Sequence, residues 1–178
     1  MELHTGRLVL RELKEADHEE LNEHERDPEV ARYQSREVQT LEGSLQYIRS
    51  SLKQTAEHEP RRLFDLAITL DGRVVGRAGM RIEPVQREAR LWYVVRRDLW
   101  GRGYAVEAAR ALCELAFGTL GVHRAMVDCD PRNPASARVA EKLGMRREAH
   151  LVENVFIKGE WCDSLVYGLL DREWTTET

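Results

Sequence analysis

The 178-residue sequence predicts a chain of the α/β (α+β) class, and three observations carry that reading. Runs of alternating apolar and polar residues, rich in Val, Ile, Leu and aromatics, mark strands, most clearly at 63–70, 74–82 and 91–95. Between such runs lie stretches with helical spacing, the clearest holding Ala105, Ala108, Ala109, Leu112, Leu115 and Ala116. Asp71 and Gly72, set between two of the strands, supply the positive φ angles of a tight hairpin and make those neighbours antiparallel.

Taken in order, Arg7 to Leu13 alternates Leu and Val with Arg and Glu as a half-buried first strand. Asp17 to Arg26 reads as a polar helix that stops before Pro28, and Asp27 to Gln39 as a connector in which Tyr33 and Gln34 are candidates to face a substrate. Thr40 caps a second helix that carries Leu41, Leu45, Ile48 and Leu52 on one face and ends at His58 to Pro60. The hairpin and the strand Leu91 to Val95 give three antiparallel strands before the third helix. Gly118 and Gly121 close that helix, and Arg124 to Asp130 alternates as another strand. Asn133 or Ser136 opens a fourth helix, closed by Gly144, and Arg146 to Ile157 and Trp161 to Leu170 are strands about Lys158 and Gly159, the pattern being imperfect between Ala149 and Phe156.

The length suits one domain over residues 1–178, with a sizeable core. With 42% hydrophobic and 33% charged residues the composition is globular, and a net charge of -4 offers no general attraction for nucleic acid or an anionic membrane. Cys113, Cys129 and Cys162 are too widely spaced for a zinc site or a disulfide framework, so no metal is expected and a reducing compartment is. The first residues lack the apolar core of a signal peptide, and no run is long enough to span a bilayer. A cytoplasmic location is the expectation.

The chemistry gathers in Leu91 to Ala116, a strand, a turn with Gly101 and Gly103, and a helix. The opening N–H groups of a helix have no partner within it, and the dipole adds partial positive charge, so the turn suits an anion. Arg96, Arg97 and Arg102 make its rim electropositive. An ordinary strand-to-helix turn that needs glycine for its backbone angles is the other reading of these residues. A dinucleotide fingerprint is excluded because Val106 stands where its third small residue belongs, and a P-loop because Gly-Lys-Ser/Thr is absent.

WGRGYAVEA, at 100–108, resembles the acyl-CoA-binding segment of the GNAT superfamily of N-acyltransferases, with Gly103 and Ala105 matching and Trp100 standing where Gln or Arg is usual. That departure is similar to the branch of the ribosomal-protein alanine N-acetyltransferases, the RimJ/RimL type. NPASARVAEKLGM, at 133–145, resembles the second segment of the family, with Met145 in place of Phe.

The resemblance implies a mixed, mostly antiparallel sheet of about seven strands flanked by about four helices, with two central strands splayed to admit the pantetheine arm. It implies acetyl-CoA as cosubstrate. The pyrophosphate is expected over the N–H groups of Arg102, Gly103, Tyr104 and Ala105, with Arg97 at the rim and Val95 backbone groups meeting the pantetheine amides. Asn133 inherits the pantetheine contact, and Ser136 inherits protonation of the departing thiolate, although Ser136 is equally readable as a helix-opening residue. Ala140 stands where many relatives carry a proton-donating Tyr. Glu153 is the first candidate for the base, with Glu83, Glu88 and Glu148 behind it. The expected acceptor is a protein N-terminal α-amine, such as that of a ribosomal protein, attacking directly in a ternary complex. A small amine such as a polyamine or aminoglycoside is the alternative, a non-catalytic acyl-CoA-binding protein the third reading, and a homodimer the family's implied assembly.

Overall fold

The computed structural model describes residues 1–37 and 39–175; Val38, inside the connector, and the last three residues of the 1–178 span lie outside the described residues. Among the described residues eight strands form one sheet: β1 (Glu2–His4), β2 (Val9–Glu12), β3 (Leu63–Leu70), β4 (Arg73–Glu83), β5 (Glu88–Val95), β6 (Arg124–Cys129), β7 (Arg146–Ile157) and β8 (Glu160–Leu170). Their order across the sheet is β1-β2-β3-β4-β5-β6-β8-β7. All neighbours are antiparallel except β5 and β6, which run parallel. The helices are α1 (His18–Glu25), α2 (Pro28–Ala31), α3 (Leu41–Ala56), α4 (Tyr104–Glu114) and α5 (Pro134–Lys142).

Two elements exceed the sequence reading. β1 is three residues long and gains its place only by pairing with β2, so its alternation is too short to register. α2 forms where a connector is expected: Asp27 caps it by accepting from Glu29 N–H, and Pro28 occupies its first turn, where a missing N–H costs nothing. Elsewhere the signals hold. Asp71 and Gly72 have φ of 51° and 80°, as the hairpin requires. Thr40 accepts from Gly43 N–H and caps α3. The imperfect pattern in β7 is a bulge, its register shifting between Leu151 and Val155 around Glu153 at φ 45°.

The sheet is covered on both faces around β3, which is buried along nearly its whole length, whereas β7 at the edge is largely exposed. Leu13, Leu21, Ile48, Ala67 and Val74 fill the side under α1 and α3. On the other side α4 and α5 pack over a larger cluster that includes Leu66, Ile68, Met80, Leu91, Leu112 and Ala140. Both strands of the parallel pair therefore have a core beneath them, and where they part they open a path from one face to the other.

Candidate active site

β5 and β6 pair only at Glu88–Arg124, Ala89–Ala125 and Arg90–Met126, after which they diverge. The wedge is a cleft of about 1160 Å³ lined by Leu91 to Val95 on one side and Val127 to Asp130 on the other. On the β5 wall, Arg96 N–H bonds to Val75 O, one residue beyond the Val95–Gly76 pair on each strand. Val95 is thus a non-hydrogen-bonded position of the β4–β5 ladder, and its own N–H and C=O point away from β4 into the cleft. The indole of Trp100 donates to Val95 O at 2.7 Å, so the carbonyl is taken and the N–H is left toward the cleft. This contact gives Trp100 a physical role at the position where the family usually has Gln or Arg: it ties the turn to the strand end.

The turn itself is built for close approach. Gly101 and Gly103 have φ of 76° and 84°, and Gly103 precedes α4 with no side chain capping the helix. The first helical bond runs from Glu107 N–H to Gly103 O, so the N–H groups of Tyr104, Ala105 and Val106 have no helical carbonyl to bond. Gly101, Gly103, Tyr104 and Ala105 line the cleft. A left-handed backbone without side chains, set at a helix N-terminus, fits a pyrophosphate.

One residue that the sequence reading passed over braces this end. Arg7 reaches Glu107 at 2.6 Å, donates to Arg102 O at 3.0 Å and lies 4.4 Å over the Tyr104 ring. Burial opposes ionisation of Glu107, but hydrogen bonds from Thr5 and Arg7 hold its carboxyl below the usual range. Because residues about a hundred positions apart make this clamp, no local pattern announces it.

Asn133 is the N-cap of α5, its Oδ1 accepting from Ser136 N–H at 3.2 Å, and both residues line the cleft. Tyr93 donates to Ser136 O at 3.0 Å, and its Oη lies 3.1 Å from Ser136 Oγ. Burial pushes the Tyr93 phenol well above its ordinary pKa, so it stays protonated. The Cys129 thiol, also on the cleft, is pushed up to about 11 by burial and stays neutral beside Ser136. Tyr93 is the functional candidate that sequence reasoning missed. In the sequence it is one more aromatic residue in a strand, and only α5 packing on β5 brings it to Ser136.

The remaining site residues fall elsewhere. Arg97 pairs with Asp27 at 3.7 Å and lines a separate shallow recess with Glu23, His24, Asp27, Arg96 and Asp98. Arg102 has an exposed side chain and contributes its carbonyl to Arg7. Glu153 is exposed on the β7 bulge and does not itself line the cleft, but its N–H is held at 2.8 Å by Asp163, which does. Glu88 and Glu148 are both bound to Arg124, and Glu83 is exposed at the end of β4.

The far side of the cleft is formed by 29–36, Tyr47 and Arg77. Lys158, in the β7–β8 turn, donates to Ala31 O at 2.5 Å and joins the turn to α2. Beneath this wall Arg77 is 6% exposed and lies 3.0 Å from Glu25. Burial works against its charge, but Tyr47, Asp65 and Glu25 outweigh that and keep it protonated.

A mixed sheet with one splayed parallel pair, a glycine turn opening α4 and an Asn-capped α5 beside the wedge define an acyl-CoA-dependent transferase. The family model for the acetyltransferase (GNAT) domain matches residues 7–146, and the chain belongs to that family. It is 29% identical over 174 residues to the uncharacterized N-acetyltransferase YnaD of Bacillus subtilis, covering 98% of this chain and 99% of that protein. It is 28% identical over 85 residues to the ribosomal protein uS5-alanine N-acetyltransferase of Escherichia coli, 48% of this chain and 44% of that one. A GNAT acetyltransferase structure from Bacillus anthracis superposes with a TM-score of 0.87 at 26% identity, over 97% of this chain and 100% of the other. At 18% and 19% identity the fold alone is shared with RimL bound to coenzyme A (TM-score 0.84; 96% of this chain, 98% of the other) and with spermidine N-acetyltransferase from Vibrio cholerae bound to CoA and spermine (TM-score 0.79; 94% and 97%). The protein is an acetyl-CoA-dependent N-acetyltransferase of the GNAT type. No helix among the described residues is long and apolar enough to cross a membrane.

Proposed function

We propose that the protein transfers acetyl from acetyl-CoA to a protein N-terminal α-amine, by direct attack within a ternary complex. The observation that carries this is the convergence on one cleft of the Val95 N–H, the Ser136 hydroxyl and a wall on the far side that is not acidic. Arg32, Arg36 and Lys158 stand on that side against Glu29, and the cleft carboxylates Asp128, Asp130 and Glu160 are paired with arginines, an arrangement that disfavours a polycation and tolerates a peptide end.

In this reading the N–H groups of Arg102, Gly103, Tyr104 and Ala105 hold the pyrophosphate and Asn133 the pantetheine. Val95 N–H donates to the thioester oxygen as charge develops on it. Ser136, steadied by Tyr93, gives its proton to the departing thiolate. An α-amine has a reference pKa of about 8, so an appreciable fraction is neutral near pH 7, whereas lysine at about 10.4 requires more help. Binding both reactants in one cleft makes the attack effectively unimolecular. The homodimer implied by the family belongs to the same proposal, and light scattering in solution tests it.

The test is thiol release from acetyl-CoA with ribosomal-protein N-terminal peptides, polyamines and aminoglycosides, for wild type and Ser136→Ala. Turnover on one peptide class, reduced roughly 10²-fold in kcat by Ser136→Ala, is expected. Turnover confined to small amines overturns the acceptor, and CoA binding with no turnover on any acceptor overturns catalysis.

A further inference from the structure

The cleft contains several carboxylates, but those at its surface are already engaged. Asp128 pairs with Arg90, Asp130 and Glu160 with Arg132, Asp163 with His150, and Glu29 with Arg32. A different route for the amine proton leads through the wall on the far side. Tyr47 lines the cleft, its hydroxyl donates to Asp65 Oδ2, and the same oxygen of Tyr47 accepts from Arg77 Nη1 at 2.8 Å. Asp65 is 3% exposed; Ser51 also donates to its Oδ2, at 2.8 Å, and its Oδ1 accepts no hydrogen bond.

The strand register places this group beside the end of β5 that carries the Val95 N–H. Arg77 of β4 stands opposite Val94 of β5, and Ala67 of β3 opposite Arg77, so the three side chains share one face of the sheet. Asp65 lies two residues along β3 from Ala67 and shares that face. Val94 adjoins the Val95 N–H that is aimed into the cleft. The Tyr47 hydroxyl, held by Arg77, therefore stands on the side of β5 opposite α5 and Ser136, where an amine must enter to attack a thioester seated against β5.

We propose that Tyr47 and Asp65 form the proton relay for the attacking amine, a proposal that rests on the transferase reading above. As the nitrogen lone pair bonds to the thioester carbon, the nitrogen becomes positive and its N–H acidic. That proton passes to Tyr47 Oη while Tyr47 gives its own proton to Asp65 Oδ2, and the N–H electron pair stays on nitrogen. The C–S bond breaks and the thiolate takes its proton from Ser136, which regains one from water in the cleft. Tyr47 remains a neutral phenol throughout, in keeping with burial, which raises its pKa. Asp65 ends as a carboxylic acid and returns its proton through the same hydroxyl to water once product has left. Arg77 is a positioning residue that fixes the phenolic oxygen.

The experiment compares Tyr47→Phe, Asp65→Asn and the double variant with wild type, on the best acceptor found above. Readouts are kcat between pH 6 and 10, KM for acetyl-CoA, and thermal midpoint. The relay requires Tyr47→Phe to lower kcat at pH 7 roughly 30- to 100-fold with KM for acetyl-CoA within about twofold, the deficit narrowing as hydroxide takes over at high pH. The double variant is expected to be no slower than the worse single, as for two members of one chain. A folded Tyr47→Phe enzyme with wild-type kcat and pH profile overturns the relay while leaving the transferase reading intact. A multiplicative loss in the double variant also overturns it. Wild type that releases thiol with no amine overturns the transferase reading and the relay with it.

Discussion

The two ends of the cleft are made in different ways. The end proposed to hold acyl-CoA is backbone: a strand edge, two left-handed glycines and a helix start, all within Leu91 to Val106. The end proposed to admit the acceptor is backed by side chains: Glu25 from α1, Tyr47 and Ser51 from α3, Asp65 from β3 and Arg77 from β4. Backbone recognition of an anion tolerates almost any residue that lets the chain turn, so one short segment suffices. A buried network of charged side chains needs every partner in place, because an ion left alone in the core is costly. The first end therefore suits a constant cosubstrate, and the second is where a particular acceptor can be chosen.

The largest expected effect lies at the acceptor end. Glu25→Ala leaves Arg77 without its 3.0 Å partner and Ser44 without its acceptor, which is expected to destabilise the fold by roughly 3 kcal/mol or more. That corresponds to a fall in Tm of roughly 6–12 °C for a chain of this size, read by calorimetry. A midpoint unchanged within a degree would mean that the network is not the structural unit described.

Burial of His24, next to Glu25 on α1 and outside the cleft, gives the fold a pH dependence. Its ring is 2% exposed, and burial first, with Arg96 and Arg77 adding to it, lowers the pKa to about 4 from 6.5. Since the unfolded chain binds this proton more readily, stability falls as pH drops from about 6.5 toward 4, by roughly 3 kcal/mol in all from this group. His24→Gln is expected to flatten that part of the stability curve, measured by urea unfolding at a series of pH values.

The acyl-CoA end should respond in binding more than in stability. At Gly103 a side chain would be strained by a φ of 84°, costing roughly 1–2 kcal/mol, and its Cβ would stand 3.5 Å from Arg7. Gly103→Ala is thus expected to raise KM for acetyl-CoA about tenfold, with acceptor KM unchanged. A change in acceptor KM alone would dissolve the division between the two ends.

The smallest effect concerns the clamp on this end. The depressed Glu107 pKa contributes stability that is present above the unfolded value near 4.5 and lost as pH falls through the lower, folded one. Glu107→Gln is expected to cost roughly 1–2 kcal/mol at pH 7, the gap to wild type narrowing as pH falls below the unfolded value, by the same urea titration.

What could be read from the sequence follows the same division. The alternating strands, the Asp71–Gly72 hairpin, the cap at Thr40, and the Gly103 and Asn133 motifs depend on residues within a few positions of one another. Periodicity and turn chemistry express such local geometry directly, while the sheet architecture was implied by the resemblance that the two motifs carry. Tertiary packing alone decided the Arg7–Glu107 clamp, the meeting of Tyr93 with Ser136 across 43 residues, the Trp100 bond to Val95, and the burial of Arg77 among Glu25, Tyr47 and Asp65. A charged residue in an alternating strand has the same sequence signature whether it faces water or a buried partner. The fold and the anion turn were set by local chain preferences, whereas the acceptor wall was set by which distant charges the packed sheet and helices brought within hydrogen-bonding distance.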